Sequence, residues 1–313
     1  MAKIKFFTDS ASDIPQEYLD KYPNLEMISF PINTEEEELL DRVSMTPEDF
    51  YTFLDEQKKL PTHAQITPFQ FGELFFKTWK EGYTHLIYTA INSHGSATYQ
   101  NALQQASSFF FENPSAKGQI EIEIIDSESY TLAYGYPVIQ GAEMAEKGTS
   151  PEEIIAFIRD WVENAKILFV PFNLKYAKKS GRVSAASAFV GEALGMKPIM
   201  TFKHGDSVLI AKVRGEKNVV SALIEVVDED RQAGAPYCLL STTLDVFDER
   251  LQEECTEEYG YPPSLSTKIG GVISINAGTA VLGIVYRKVN EESPVENWAW
   301  NYSEYKKALK AKA

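Results

Sequence analysis

Two stretches far apart in the chain place carboxylate and hydroxyl side chains where buried strands are predicted to end. Residues 6–15 read Phe-Phe-Thr-Asp-Ser-Ala-Ser-Asp-Ile-Pro, and residues 91–100 read Ile-Asn-Ser-His-Gly-Ser-Ala-Thr-Tyr-Gln. Each stretch leaves an apolar run and continues into a predicted helix. Open α/β sheets bind ligands at the carboxyl ends of their strands. The pattern therefore predicts a site that captures a small anionic group without transforming it.

Catalysis by the same residues is the alternative. A nucleophilic carboxylate at Asp9 would need a second acid two residues later, where the chain has Ala11. A nucleophilic Ser96 would need glycines two residues to either side, where His94 and Thr98 stand. A helix cap is the simpler interpretation of Ser96. A small-substrate hydrolase or transferase that uses Asp9 or Ser96 stays open as the weaker alternative.

The sequence carries no metal or nucleotide motif. The histidines lack metal-ligand spacing, and no glycine-rich phosphate loop occurs. Cys238 and Cys255 form neither a disulfide framework nor a metal pattern. The main basic cluster, residues 178–182, ends at Arg182, whose guanidinium can bind a carboxylate through two donors. Because these motifs are absent from the sequence, we expect no metal and no cofactor. A solvated surface patch is the alternative interpretation of the basic cluster at residues 178–182.

Composition restricts the class of protein further. The 313 residues suggest two domains, and the net charge of −15 argues against nucleic acid as a partner. The first residues lead directly into a predicted strand, without the apolar segment of a signal peptide. No apolar run approaches the roughly 20 residues that a membrane span needs. These features predict a cytoplasmic protein without a transmembrane segment.

Strands and helices alternate through the first half of the chain. Strands are predicted over residues 4–8, 25–32, 86–91 and 120–125. Helices are predicted to begin near Pro15, Thr46, Thr67, Ser96, Tyr130 and Ser150. Strands that are separated by helices pair in parallel through right-handed crossovers. The first half is therefore predicted to form an α/β domain with a parallel sheet.

The second half has a different pattern. Strands are predicted over residues 167–170, 197–201, 208–213, 237–242, 271–275 and 282–289, and helices over residues 216–232 and 246–259. Two of these strands form a hairpin, so the sheet is predicted to be mixed, with helices on one face. We place the boundary between an N-terminal domain of residues 1–165 and a C-terminal domain of residues 166–313. The tail after residue 290, with Trp298 and Trp300, is expected to pack only partway.

Six motifs in the same order resemble those of the DegV family, bacterial fatty-acid-binding proteins, over residues 3 to about 288. Residues 7–15 match the family's opening motif, and residues 91–99 resemble its Ser-Ser-Gly-Leu-Ser-Gly-Thr-Tyr segment. The other matches are residues 125–127 with Gly135, residues 179–183, residues 194–199 and residues 213–215. The ordered set is far more specific than any single motif.

The resemblance implies a function and a site. In the family, two α/β domains enclose one long-chain fatty acid, whose acyl chain lies in an apolar tunnel. Hydroxyl and imidazole groups hold the carboxylate, and well-studied members deliver the acid to a separate kinase without being the catalyst. The resemblance implies that Ser93 contacts the carboxylate and that Arg182 lies near it.

Two motifs depart from the family at the carboxylate site. The family's Thr-Ser-Gln-Pro is replaced by His-Ala-Gln-Ile at residues 63–66, and its His-Thr-Gly-Pro-Gly by Asn-Ala-Gly-Thr-Ala at residues 276–280. We interpret His63 as a replacement imidazole that approaches from the opposite side. The alternatives are a different amphiphilic ligand with a regulatory role, or a lost partnership with the kinase. The predicted ligand-binding residues are Ser93, Arg182, His63, Asn276, Ser96, Asp9, Ser10 and Gly278.

Overall fold

The computed structural model describes residues 2–189 and 195–289. Strands and helices alternate through the first half, as predicted. The strands are β1 (Ile4–Asp9), β2 (Leu25–Ile28), β3 (Pro31–Asn33), β4 (Glu38–Leu40), β5 (Thr62–His63), β6 (His85–Ala90) and β7 (Glu121–Asp126). The helices are α1 (Gln16–Lys21), α2 (Pro47–Glu56), α3 (Pro68–Lys80), α4 (Thr98–Glu112), α5 (Leu132–Glu146) and α6 (Pro151–Asn164).

The second half contains six strands and five helices within the described residues. The strands are β8 (Ala165–Pro171), β9 (Met196–Lys203), β10 (Asp206–Arg214), β11 (Tyr237–Ser241), β12 (Leu265–Lys268) and β13 (Val281–Arg287). The helices are α7 (Lys175–Ser180), α8 (Ser184–Ala188), α9 (Val219–Asp228), α10 (Asp245–Tyr259) and α11 (Gly271–Ala277). The prediction for the tail with Trp298 and Trp300 lies outside the described residues.

The first sheet is parallel, with strand order β2-β1-β6-β7. The carboxyl ends of β1 and β6 are therefore neighbours, as the two opening motifs predicted. The prediction of one strand over residues 25–32 was wrong, because this segment divides between β2 and β3. After β2, the N–H of Phe30 donates to a side chain, Ser10 Oγ at 3.1 Å, instead of to a neighbouring strand. The chain leaves the first sheet at this point. β3 then joins a separate sheet of order β4-β3-β5.

Three helix starts in the first half follow the predicted capping chemistry. Thr46, Thr67 and Ser150 each accept a hydrogen bond from the backbone N–H three residues later. A proline occupies the first helical turn in all three cases, where no N–H partner is needed. Thr67 and Ser150 also complete reciprocal capping boxes. These helices are consequently fixed in place by local sequence.

The second sheet is mixed, with strand order β10-β9-β8-β13-β11-β12. Its neighbouring strands are antiparallel except for β11 and β12. The predicted hairpin is present: β9 and β10 are joined at His204 and Gly205, which have φ values of 48° and 80°. This architecture confirms the predicted fold class, in which a parallel-sheet α/β unit is followed by a mixed-sheet α/β unit.

The predicted strand over residues 271–275 was wrong, because this segment forms helix α11. Its β-branched residues favour a strand, but tertiary contacts override that preference. The N–H groups of Gly270 and Gly271 donate to the carboxylates of Asp13 and Asp41, at 2.7 and 2.8 Å. The two side-chain oxygens satisfy backbone N–H groups that have no partner within the helix, which stabilises the helix start. In the second half, the strand that the prediction missed is β12, whose Leu-Ser-Thr-Lys sequence is too polar to be recognised. In the first half, the short strands β4 and β5 were also missed.

Helix α5 lies between the two sheets. It packs on β1 and β6 of the first sheet and on β8, β11 and β13 of the second. Ten of its fifteen residues are buried, which is typical of a helix covered on all sides. The opposite face of the second sheet packs against α9 and α10. Among the described residues, no helix combines the length and apolarity that crossing a membrane requires.

Candidate functional site

A largely apolar cavity is built from both halves of the chain. The face of the second sheet that turns toward α5 supplies one wall, formed by Ile167, Phe169, Leu240, Val281 and Gly283. These positions alternate along β8, β11 and β13 with residues that pack against α9 and α10, as the pleat of a sheet requires. The space between the lining atoms is about 660 Å³, including its opening to solvent.

The remaining walls come from loops and helix ends. Ile91 follows β6, and Tyr130 and Thr131 precede α5. One side of α11 faces the cavity through Val272, Ile273, Asn276 and Ala277. The position of α11 therefore sets the width of the cavity, and that position depends on the two carboxylates at its N-terminus.

Two polar lining residues, His63 and Asn276, are in direct contact. Asn276 Nδ2 lies 3.1 Å from His63 Nε2 and donates to the carbonyl oxygen of Val272 at 2.7 Å. Because a carbonyl oxygen only accepts, we assign this atom of Asn276 as the amide nitrogen. Its second hydrogen is then directed to His63 Nε2, which must accept. The imidazole is therefore neutral, with its proton on Nδ1.

The electrostatics of the site agree with a neutral imidazole. Burial, followed by the positive charge of Arg182, lowers the pKa of His63 to about 4. Desolvation disfavours a charged imidazole, and a neighbouring guanidinium repels it. An anion that entered the site would act in the opposite direction and raise the pKa of His63.

Arg182 lies at the boundary between the cavity and a more polar pocket. It lines both spaces, and its own side chain is exposed. The polar pocket has about 560 Å³ of empty space, including its opening to solvent, and is lined by His94, Ser184 and Asp206, among others. Arg182 Nη1 donates to the carbonyl oxygen of Ser180 at 3.3 Å. The guanidinium is thus available to a negatively charged group at the opening of the cavity.

Ser93 and Ser96 lie next to the cavity rather than in its lining, to which Gly95 contributes. The N–H of Ser93 donates to Asp126 Oδ1 at 3.2 Å, and the residue is half-buried. Ser96 Oγ accepts from the N–H of Thr98 at 3.3 Å and is hydrogen-bonded to Thr98 Oγ1 at 2.9 Å. These bonds hold the start of α4. Contact of the two serines with a ligand stays a prediction.

Asp9 and Ser10 are buried among structural hydrogen bonds. Asp9 accepts from the hydroxyls of Tyr134 and Tyr88, at 2.6 and 3.0 Å, and from the N–H of Ile91 at 2.9 Å. Burial raises the pKa of Asp9 to about 6. Ser10 Oγ is used by the N–H of Phe30 at 3.1 Å. Asp9 thereby joins β1 to the loop after β6, which is a structural role rather than a nucleophilic one.

The backbone conformation at position 278 explains why the residue there is a glycine. Its φ of 107° is a value that L side chains rarely adopt, and its N–H donates to the carbonyl oxygen of Ser274 at 2.8 Å. A Cβ at this position would lie 3.3 Å from the ring of Tyr176. The glycine therefore allows the chain to turn from α11 toward β13, and it does not line the cavity.

Several lining residues were not predicted from the sequence. Tyr130 and Thr131 come shortly after residues 126–127, where a predicted strand ends. This position is the one sequence signal that could have identified them as lining residues. Thr131 has a φ of 55°, and its buried hydroxyl has no hydrogen-bond partner among the described residues. Phe202 and Gly283 face the cavity only because of the register of the second sheet. Among the described residues there is no group of metal-ligating side chains.

Comparison with known proteins agrees with this architecture. The sequence profile of the DegV family, described as uncharacterised proteins, matches residues 3–289. A DegV domain-containing protein of Clostridium perfringens is 31% identical over 291 residues, which cover 91% of this chain and 99% of that protein.

Solved structures show the same fold. DegV of Bacillus subtilis, described as a fatty acid binding protein, is 26% identical with a TM-score of 0.77, over 92% of this chain and 100% of its own. A DegV family protein from Thermus thermophilus, described by its fatty acid binding, is 24% identical with a TM-score of 0.80, over the same shares of the two chains. Since the family profile spans almost the entire sequence, the chain belongs to the DegV family.

Proposed function

We propose that the protein binds one long-chain fatty acid, with the acyl chain in the apolar cavity and the carboxylate beside His63, Asn276 and Arg182. The observation that carries this proposal is the composition of the cavity wall. Aliphatic and aromatic side chains form most of it, while His63 and Asn276 touch each other and Arg182 acts on His63. An amphiphile with one anionic end matches this distribution.

The family relationship supports the same ligand class. The Bacillus subtilis relative shares the fold and is described as binding fatty acid. In this chain, His63 would take over the imidazole role for which the family uses a histidine at the position of Asn276. The contact of 3.1 Å between the two side chains supports such an exchange. Ser93 stays a proposed contact for the carboxylate, next to the lining residue Gly95.

The magnitudes explain why a changed carboxylate site is compatible with binding. Each buried methylene contributes about 0.8 kcal/mol, so a C16 chain offers on the order of 10 kcal/mol before the ordering costs. One hydrogen bond to a charged group contributes roughly 1.5–3 kcal/mol. The acyl chain therefore dominates affinity, whereas the polar residues determine the orientation and the type of head group.

We further infer that the protein is a carrier and not a catalyst. Asp9 is enclosed by two tyrosine hydroxyls and a backbone N–H, and Ser96 is occupied at the start of α4. Neither arrangement supports the hydrolase or transferase alternative. The acid would be enclosed between domains of residues 1–165 and 166–313. It would then be presented to a separate fatty acid kinase.

Native mass spectrometry of freshly purified protein tests the proposal. We expect a single co-purifying acyl species, or uptake of one molecule of a C14 to C18 acid by empty protein. Protein that stays empty after all of these acids have been offered contradicts the proposal. Asn276→His serves as the matched variant, because it restores the family's imidazole. It is expected to strengthen binding of the carboxylate without changing the preferred chain length.

A second ligand class is favoured by one specific feature. The polar pocket beyond Arg182 is larger than a carboxylate needs and contains Asp206 and Ser184, which suit a bulkier, uncharged or zwitterionic head group. The mass of the co-purifying species distinguishes the two candidates. A mass above that of any free acid identifies a different amphiphile, and a regulatory role would then replace delivery to a kinase.

A further inference from the structure

Gly283 lies in the interior of β13, between β8 and β11 of the six-stranded sheet. It pairs with Phe169 on one side and with Leu240 on the other. A glycine in the interior of a strand weakens it, and such positions often mark the close approach of a ligand or another backbone. The φ of Gly283 is not in the left-handed region, so the local conformation does not call for a glycine.

The missing side chain leaves a gap on the cavity wall. Phe169 and Leu240 flank Gly283 and both line the cavity. Phe169 stacks on Phe202 with ring centroids 5.2 Å apart and an interplanar angle of 14°, which holds it at the edge of the gap. Val285, the next residue on the same face of β13, is buried in the core. The gap is therefore closed at its inner end.

The surroundings of Gly283 define how much room the gap has. A Cβ at this position would lie 3.5 Å from Phe169 Cβ and 3.6 Å from Leu240 Cβ, which are ordinary contacts. It would lie 3.0 Å from the carbonyl oxygen of Leu168, so the neighbouring strand would have to yield by a few tenths of an ångström. An alanine therefore requires this small shift of β8, and its methyl group would occupy space that now belongs to the cavity.

We propose that the gap over Gly283 receives the terminal part of the acyl chain and sets the longest acid that the cavity accepts. This inference rests on the proposed function, since it assigns a part of the same cavity. Phe169 and Leu240 form the sides of this terminal subsite, and Val285 closes it. A methyl group added at Gly283 displaces the last methylene of a long ligand, whereas a shorter ligand does not reach it.

The test is a competition among saturated C14, C16 and C18 acids at equal concentration, with the bound species quantified by native mass spectrometry. In Gly283→Ala the ratio of bound C18 to bound C14 acid should fall by about four-fold for each methylene that is displaced. Ile284→Val is the matched control, because it removes one methylene from the same strand on the opposite face. It should leave the ratio unchanged.

The outcomes separate the two proposals. Wild-type protein that binds none of the acids contradicts the proposed function, and the inference about Gly283 ends with it. Wild-type protein that binds them, together with an unchanged ratio in Gly283→Ala, overturns the inference alone. If Gly283→Ala does not fold, Leu240→Val replaces it, since it widens the same gap and should shift the ratio toward longer acids. An unchanged ratio in that variant also overturns the inference.

Discussion

Asp9 shows how strongly the hydrogen bonds of the fold can specify one buried side chain. It accepts three hydrogen bonds at the end of β1, and burial raises its pKa to about 6, from 3.8. The sequence marked Asp9 as a candidate for chemistry because of its position at a strand end. The two tyrosines that enclose it, Tyr88 and Tyr134, lie in β6 and α5. Their separation from Asp9 along the sequence gives no sign of these contacts.

The raised pKa of Asp9 predicts a pH dependence of stability. Between pH 4 and 6 the folded state keeps a proton that the unfolded state releases, so stability falls as pH rises through this window, by up to about 1.4 kcal/mol per pH unit. Above pH 6 this contribution is constant. Burial also raises the pKa of Asp13, to about 7, and Asp13 adds a similar decline up to that pH.

Asp9→Asn should remove the part of this slope that ends near pH 6. Asparagine keeps one oxygen acceptor, and its amide can donate to a tyrosine hydroxyl, which both donates and accepts. Urea unfolding followed at several pH values measures the effect, with Asp13 left intact as the internal reference. A slope equal to that of the wild type between pH 4 and 6 would show that Asp9 is not the responsible group.

His63 provides a second prediction at the scale of a residue. The charge of Arg182 contributes to the lowered pKa of His63, so Arg182→Gln should raise that pKa above about 4. It should stay below the ordinary value of 6.5, because burial is the larger cause and persists. NMR titration of the imidazole resonances measures the change. Identical titration curves for the two proteins would contradict the position assigned to Arg182.

The hairpin of β9 and β10 shows how an element can be held by one glycine. Asn92 Nδ2 donates to the carbonyl oxygen of Gly205 at 2.9 Å, and a Cβ on Gly205 would lie 2.6 Å from His94 Cγ. The tip of the hairpin is therefore packed directly on the loop after β6. Since the hairpin also carries Phe202, this contact fixes one wall of the cavity.

Gly205→Ala should consequently destabilise the protein more than a comparable glycine substitution elsewhere. Gly118 has a similar φ, 74° against 80°, but a Cβ there meets nothing within 4 Å. Gly118→Ala thus measures the cost of the backbone conformation alone. Overpacking at Gly205 should add about 1–3 kcal/mol to that cost. Thermal unfolding of both variants gives the difference, and equal losses would show that the hairpin tip is not packed on His94.

The sequence predicts elements well where their ends are fixed locally. Thr46, Thr67 and Ser150 were recognised as helix caps because their partners lie three residues away. Helix α11 was missed because the groups that stabilise its N-terminus, Asp13 and Asp41, are more than 200 residues distant. The same reason explains the cavity wall, whose residues become neighbours only through strand pairing. Pattern analysis has no access to such contacts.

At the scale of the molecule, the predicted boundary near residue 165 can be tested with a fragment. Residues 1–165 contain α5, whose second side packs on β8, β11 and β13. Removing those strands would expose a large apolar surface on α5 to water. We expect the fragment to lack fixed tertiary packing, as measured by near-ultraviolet circular dichroism. A native-like spectrum and a cooperative thermal transition would instead establish the segment as an independent domain.

The shared position of α5 has a consequence for how a ligand gains access. A hinge motion that separates the two sheets would remove this helix from one of them and expose the core of the molecule to water. Such a motion costs a large part of the folding free energy, and it is too rare to serve routine exchange. Exchange of the proposed ligand should therefore depend on a small local displacement beside Arg182, while both sheets stay packed on α5.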